Sequence, residues 1–325
     1  MRPRAMLWLL AALAPVAFVA CLSLGAAGPG IPSLHDAVFA LRLNRVLAGF
    51  IVGAGLSTAG VVLQALLRNP LAEPYVLGVS SGAGLGAAVS ILSGAAALTS
   101  LATPGLAFLC AVLTLALVYS LARSGGRMSI YSLILSGVIV SSVCSSFLMC
   151  LVAVAPVEGL HSIVWWMLGD LQVTSGGIFA SCAALTLAGV LGIWLLAPEL
   201  NALTLGEEMA HHVGVRIRVA VGLGLGFATL TAAAAVAMAG LIGFVGLIVP
   251  HAMRHVVGPD HRRLVPAAAL AGGMFLAVCD GVARTLLTWM SAGPVEIPVG
   301  VVTALIGGPC FMLILRRRKQ GWVEG

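Results

Sequence analysis

Residues 199–218 read ELNALTLGEEMAHHVGVRIR and form the longest polar interruption in an otherwise apolar chain. The stretch contains two adjacent glutamates, two adjacent histidines and two arginines, and long apolar runs lie on both sides of it. Acidic residues favour the start of a helix, and a glycine such as Gly214 favours its end. We therefore predict a helical loop over residues 198–218 that lies outside the membrane and contacts a soluble partner.

Composition places the rest of the chain in the membrane. Hydrophobic residues make up 60% of the 325 residues, charged residues make up 9%, and the mean hydropathy is +1.11. A soluble domain carries about 25% charged residues. The chain is basic, but its basic residues are spread over loop ends and form no single basic face, which excludes a nucleic-acid partner. We expect one transmembrane domain over residues 1–325, in contact with membrane lipid.

Ten apolar runs approach the roughly 20 residues that a membrane-spanning helix needs. They predict an all-α polytopic fold with about ten transmembrane helices. We expect the first run to be retained rather than cleaved as a signal peptide, because further spans follow it. The seventh and eighth runs could form one kinked helix, but Gly243, Gly246 and Pro250 favour a turn between two helices. The runs cover residues 5–24, 46–66, 75–93, 104–122, 129–152, 176–197, 219–239, 241–256, 266–289 and 298–315.

The distribution of lysine and arginine predicts the orientation of these spans. With the N-terminus inside, all but three of the 17 basic residues lie on the cytoplasmic side. Positive residues concentrate on the cytoplasmic side of membrane proteins. We therefore predict that both termini and the loop over residues 198–218 are cytoplasmic. The three basic residues on the outer side are Arg42, Arg45 and Arg284.

Five segments resemble, in the family's own order, the FecCD-like permeases of type II ABC importers for ferric siderophores, haem and cobalamin. The resemblance covers nearly the whole chain. The family usually has proline where this chain has Asn44, and this departure puts in doubt how the outer loop enters the second span. The matching segments are LRLNRVLAGF (41–50), RNPLAEPYVLGVSSGAGLGA (68–87), GFVGLIVPHAMR (243–254), GPDHRR (258–263) and EIPVGVVTALIGGPCF (296–311).

The resemblance implies the ABC importer type II permease fold and a multi-pass subunit of the bacterial inner membrane that works by alternating access. It also implies three protein partners: a cytoplasmic ABC ATPase dimer, an extracytoplasmic substrate-binding protein and a second permease subunit, expected to be a copy of this chain. The implied cargo is a metal chelate. Ferric siderophores and haem are favoured over cobalamin because they are the commoner substrates of the family. The particular chelate, and whether the permease is a homodimer or a heterodimer, stay open.

The chain itself is not expected to be an enzyme. It has no GxxxxGK[ST] sequence, and its single lysine is Lys319, whereas a P-loop needs a lysine that reaches the phosphates. ATP and Mg²⁺ are therefore expected on the partner ATPase, with no cofactor in this chain. The seven histidines and seven cysteines show no metal-ligand spacing, so no metal site is predicted.

The resemblance assigns a role to the polar loop. The pattern E-x-A-x-x-x-G, which runs from Glu208 to Gly214, resembles the motif through which ABC permeases couple to their ATPase. The alternative is a solvated loop helix with no partner. The predicted coupling residues are Glu207, Glu208, Met209, Ala210, His211, His212 and Gly214.

The three outer arginines match family positions that form salt bridges with acidic residues of the docked binding protein. The planar guanidinium of Arg42, Arg45 and Arg284 suits carboxylates. Two alternatives remain. The arginines could snorkel to lipid headgroups, or Arg284 could pair with Asp280, four residues earlier on the same helix face.

Gly78, Gly82 and Gly86 recur every four residues, as do Gly222 and Gly226. Small residues at this spacing are typical of closely packed transmembrane helices. A role for the first three in a gate is the alternative.

Two other function classes suit a polytopic membrane protein. An ion-coupled secondary transporter needs charged or polar groups deep within its spans, and Asp280 and Gln64 are the few candidates. An intramembrane enzyme needs a nucleophile with its base, or metal ligands, facing one another inside the bundle, and we predict no such set. The ABC importer is the preferred hypothesis.

Overall fold

The computed structural model describes residues 3–25, 30, 31, 33, 36–124, 127, 128, 130–172, 175–290 and 296–323. This part of the chain folds almost entirely into helices, with one hairpin of two-residue strands, β1 (Arg123–Ser124) and β2 (Arg127–Met128). The helices are α1 (Pro3–Ser23), α2 (Ala37–Leu66), α3 (Val79–Leu92), α4 (Ala95–Leu98), α5 (Ala102–Ala122), α6 (Ile130–Val154), α7 (Val157–Met167), α8 (Gly176–Leu195), α9 (Ala197–Thr204), α10 (Glu207–His212), α11 (Ile217–Ala239), α12 (Val245–Val257), α13 (His261–Trp289) and α14 (Val299–Val323), with a 3₁₀ turn at Pro74–Leu77.

Each of the ten predicted apolar runs overlaps a helix. In the described part of the chain, seven helices are long and apolar enough to cross a membrane, namely α1, α2, α5, α6, α8, α11 and α13. The apolar helices α3 and α12 and the Val299–Met312 part of α14 are shorter. The all-α fold is confirmed, whereas the number of helices that cross and the side on which the termini lie stay predictions.

The seventh and eighth runs form two helices, as the turn signals predicted. Helix α11 ends at Ala239 and α12 begins at Val245, so the turn occupies residues 240–244. Of the three residues that indicated a turn and a short second helix, Gly243 lies in the turn, whereas Gly246 and Pro250 lie inside α12. Gly246 instead allows a close approach to α2, since a Cβ atom there would lie 2.8 Å from the Leu56 carbonyl oxygen.

Helices α2 and α13 form the centre of the bundle. They make the most extensive helix–helix contact in the described chain, and α2 is the most buried of the seven long helices. Gly53 and Gly272 face one another so closely that a Cβ atom on either would overlap the carbonyl of the other. The Ser57 hydroxyl donates to the Ala268 carbonyl across the same contact, at 2.7 Å. Small residues and interhelical hydrogen bonds replace the hydrophobic effect as the source of helix association in lipid.

The start of α2 differs from the prediction. The second run was placed at residues 46–66, but α2 begins at Ala37, where the Asp36 side chain accepts a hydrogen bond from the Val38 N–H at 3.0 Å. Arg42 and Arg45 therefore lie within the helix, about one turn apart, rather than in front of it. Charged residues interrupt an apolar pattern in sequence, but they do not end a helix when the fold supplies partners for them.

The contact between α2 and α13 gives a first prediction. Gly53→Val should lower the free energy of unfolding by about 1–3 kcal/mol or more, because the added atoms collide with the α13 backbone and force the helices apart. The measurement is the thermal unfolding midpoint of the purified protein in detergent. Gly226→Val is the matched control, because a Cβ atom at Gly226 meets nothing within 4 Å. Equal midpoints for the two variants would contradict the close approach.

Candidate functional site

The predicted coupling loop consists of two short helices, α9 and α10, followed by the start of α11. Helix α10 carries its two glutamates in the first turn and its two histidines in the last, so the negative charges lie at the end that the helix dipole favours. At its end the Gly214 N–H donates to the His211 carbonyl at 3.0 Å, and the Val215 N–H donates to the Ala210 carbonyl at 2.9 Å. These two bonds form a Schellman motif. Gly214 has φ +84°, so the predicted left-handed cap is confirmed.

Helix α10 presents most of its side chains to solvent. Ala210 is the exception, because it is fully buried and belongs to the main core cluster. A larger side chain there would push the helix away from the bundle. Three apolar residues remain exposed beside the charges, with exposed fractions of 73%, 53% and 68% for Leu205, Met209 and Val213. Exposed apolar groups with a charged rim are typical of a protein-binding surface.

The seven predicted coupling residues therefore lie together on one short helix and its cap. Glu207, Glu208, Met209, His211, His212 and Gly214 are exposed, and Ala210 fixes them to the bundle. A groove of about 570 Å³ lies beside them, between α9 and the start of α11, with Glu199 and Arg216 among its lining residues. Their role in coupling stays a prediction.

A second polar site surrounds Arg45 on α2, whose guanidinium faces three carboxylates. Its Nε donates to Asp280 Oδ1 at 2.9 Å, its Nη1 donates to Glu296 Oε2 at 2.6 Å, and its Nη2 lies 3.6 Å from Asp170 Oδ1. The arginine is buried and Asp280 is fully buried, whereas the other two carboxylates are partly exposed. One side chain thus connects α2 with α13, with the segment after α7 and with the segment before α14.

Arg284 lies on the other side of the same carboxylate. Its Nε is 2.9 Å from Asp280 Oδ2 but directs its N–H toward the Asp280 backbone carbonyl, at 3.3 Å. The contact is therefore an ion pair without an aligned hydrogen bond to the carboxylate. Its Nη1 donates to the Leu24 carbonyl at 3.0 Å and its Nη2 donates to the Cys21 carbonyl at 3.3 Å, both at the end of α1. The predicted pairing of Arg284 with Asp280 along one helix face is confirmed.

Arg42 completes the group by donating from Nη1 to the Gly30 carbonyl at 2.8 Å. Only 7%, 9% and 2% of Arg42, Arg45 and Arg284 is exposed, so snorkelling of these side chains to lipid headgroups was wrong. The docking of a binding protein on them stays a prediction. It is the fold that satisfies these charges, through carboxylates and carbonyls of the same chain.

Sequence reasoning missed Asp170 and Glu296. Both stand in segments that precede or follow apolar runs on the predicted outer side, and the chain has only 11 acidic residues. The available signal was that these acidic residues lie on the same predicted outer side as three arginines, which the positive-inside rule disfavours there.

The three glycines at four-residue spacing, Gly78, Gly82 and Gly86, have two different roles. A Cβ atom on Gly82 would overlap the Thr114 side chain and one on Gly86 would overlap the Leu106 carbonyl, so these two allow close packing of α3 on α5, as predicted. Gly78 instead has φ +84° and turns the chain from the 3₁₀ segment into α3. The gate role stays a prediction. Gly226 lies in open space, where close packing was expected.

Gly78–Gly82 reads GVSSG and fits the G-x-S-x-G pattern of hydrolase nucleophile elbows. That pattern needs a strand before the turn, whereas a 3₁₀ turn precedes it here.

Among the described residues, no three His, Cys, Asp or Glu side chains converge on a point that could hold a metal ion. The expectation of no metal site stays an expectation.

The arginine network gives a second prediction. Asp280→Asn should cost about 3–5 kcal/mol of stability, because it leaves two buried guanidinium groups without their shared counter-charge. Asp36→Asn is the matched control, since asparagine caps a helix as well as aspartate does. Thermal unfolding in detergent measures both variants. A stable Asp280→Asn protein that has lost transport would favour an ion-coupled mechanism instead.

The sequence and the fold of this chain are also similar to those of known proteins. The sequence profile of the FecCD transport family matches residues 7–317. The chain is 39% identical to the cobalamin import system permease protein BtuC of Halobacterium salinarum, over 89% of this chain and 76% of that one. It is 35% identical to the hemin transport system permease protein HmuU of Yersinia pestis, over 98% of each chain. A solved structure described as an inward-facing metal-chelate type ABC transporter superposes with a TM-score of 0.86 at 32% identity, covering 97% of this chain and 99% of that one.

Proposed function

The chain belongs to the FecCD transport family, and on that premise we propose that it is the membrane-spanning permease subunit of an ATP-driven importer of a metal chelate. The observation that carries the proposal is the coupling helix α10. It is short, exposed and capped at both ends by glycines with positive φ, Gly206 and Gly214, and it is fixed to a long apolar bundle through Ala210. A small rigid helix with an exposed acidic and apolar face suits insertion into a cleft of a soluble partner.

The energy for import comes from a separate polypeptide in this proposal. The chain has no phosphate-binding loop and only Lys319 as a lysine, so ATP and Mg²⁺ are held by a cytoplasmic ATPase dimer. A second permease subunit completes the pathway, and a soluble binding protein delivers the cargo from outside. The location is the bacterial inner membrane.

The cargo proposed is a ferric siderophore or haem, with cobalamin as the third candidate. Relatives of this chain are named for cobalamin and for hemin, and both cargoes are bulky metal chelates. Because a chelate encloses its metal, the permease needs no metal ligands of its own.

The competing proposal is an ion-coupled secondary transporter that uses Asp280. This carboxylate is fully buried within α13, as such a transporter requires. However, two arginines lie against it, and α10 has no purpose in that mechanism.

Co-purification from the native host in mild detergent tests the proposal. We expect a stoichiometric soluble ATPase to accompany the chain, and the reconstituted complex to import haemin into proteoliposomes only with ATP. Recovery of the chain alone, under conditions that preserve a known ABC complex, would contradict the importer proposal.

The coupling helix gives a third prediction. Glu208→Lys should abolish ATP-dependent haemin uptake while leaving membrane insertion intact, because it reverses the charge that faces the ATPase. Glu158→Lys is the matched control, since Glu158 is also an exposed acid in the first turn of a helix, α7, away from α10. Normal uptake by the Glu208→Lys variant would remove the coupling role from this helix.

A further inference from the structure

Asn201 on α9 makes three side-chain hydrogen bonds to the first residues of α13. Its Nδ2 donates to Asp260 Oδ1 at 2.8 Å. Its Oδ1 accepts from the His261 backbone N–H at 2.9 Å and from His261 Nδ1 at 2.7 Å. Since a carboxylate only accepts, the first bond fixes the orientation of the amide, and the amide oxygen in turn requires a proton on Nδ1.

These hydrogen bonds hold the polar N-terminus of α13. Asp260 is the N-cap of α13, and its Oδ1 also accepts from the Arg262 N–H at 3.1 Å. Burial raises the pKa of Asp260, but the hydrogen bonds from Asn201 and from the Arg262 backbone, together with the nearby arginines, lower it by more, so the pKa lies below its ordinary value. His261 is only 2% exposed. Asn201 thus satisfies one of the unpaired N–H groups of the helix start.

Helix α9 is also the main support of the coupling helix. The coupling helix α10 packs chiefly against α9 and to a lesser extent against α11. Leu200 and Leu203 of α9 are buried on the two sides of Asn201. A displacement of α10 therefore reaches α9 first, and through Asn201 it reaches the start of α13.

Helix α13 continues from this point to the arginine network. Asp280 stands 19 residues after His261, which corresponds to about 28 Å along a helix. Its side chain holds Arg45 and Arg284, and through Arg45 the segments around Asp170 and Glu296. One continuous helix, with Pro266 inside it, therefore joins the predicted coupling side of the bundle to the polar site.

We propose that Asn201 is the positioning residue that transmits movement of the coupling helix to α13. This inference rests on the proposed importer function, and it deepens that function by assigning the route of coupling. Two parallel routes are α11, which follows α10 directly in the chain, and α2, which also packs against α9. A further hydrogen bond, from Trp194 Nε1 to the Arg262 carbonyl at 3.2 Å, joins α8 to the same turn of α13.

The first test compares Asn201→Ala with wild-type complex in proteoliposomes. We expect assembly with the ATPase and basal ATP hydrolysis to be unchanged, whereas the haemin imported per ATP hydrolysed should fall roughly tenfold or more, since a buried hydrogen-bond network is lost. Thr204→Val is the matched control. Thr204 lies on the same helix, and its hydroxyl bonds only to the Asn201 carbonyl of its own turn among the bonds described.

A reciprocal exchange separates coupling from folding. Asn201→Asp alone places two carboxylates against each other and should uncouple the complex. Asp260→Asn alone keeps a helix cap and an acceptor and should be close to wild type. In the double variant Asn201→Asp, Asp260→Asn, the new amide at position 260 can donate from Nδ2 to the carboxylate at position 201 while its Oδ1 still accepts from the Arg262 N–H, so the ratio of haemin imported to ATP hydrolysed should rise above that of Asn201→Asp alone.

The outcomes of the two proposals are distinguishable. If wild type imports haemin with its ATPase and Asn201→Ala does so with the same ratio, the transmission role is overturned and the importer function stands. A failure of the double variant to recover, at normal assembly, also overturns it. If wild type has no ATPase partner, the importer function itself fails.

Discussion

The arrangement of the bundle depends on one buried carboxylate. Asp280 lies within an apolar helix, and its charge is tolerable only because Arg45 and Arg284 approach it from two helices. Burial of an ion costs several kcal/mol unless partners and hydrogen bonds compensate for it. Arg45 in turn requires the carboxylates of Asp170 and Glu296. The need to satisfy these charges together fixes α2, α13 and two connecting segments relative to one another, and the α1 carbonyls complete the set.

Close backbone packing makes that network geometrically possible. Gly53 and Gly272 allow α2 and α13 to approach to carbonyl contact, and Gly49 packs against Ala277 only one to two turns from the charges. Larger side chains at these positions would separate the guanidinium of Arg45 from its carboxylate. Close packing and charge pairing therefore depend on each other within one pair of helices. One of the two helices, α13, also carries the proposed route from the coupling helix.

The local features of the candidate site could be predicted from sequence, and the distant ones could not. Helix α10, its Gly214 cap and the pairing of Asp280 with Arg284 all follow from the spacing of a few neighbouring residues. Nothing in the pattern indicated that Asn201 would hold His261, 60 residues away, because such a pair depends on where α9 packs. The same spacing rule failed for Gly226, where a Cβ atom would meet nothing, whereas at Gly78 a turn requires glycine in addition to the close contacts around it.

The sequence by itself determined that this chain is a helical membrane protein of the FecCD transport family, since composition, apolar runs and motif order are properties of the linear chain. It also predicted that the polar run over residues 199–218 lies outside the membrane, because a polar run cannot remain in hydrocarbon. Tertiary structure alone decided that the outer arginines are buried rather than exposed. Partners from distant segments, Asp170 and Glu296 among them, satisfy these charges, and only packing of the helices brings those carboxylates within bonding distance.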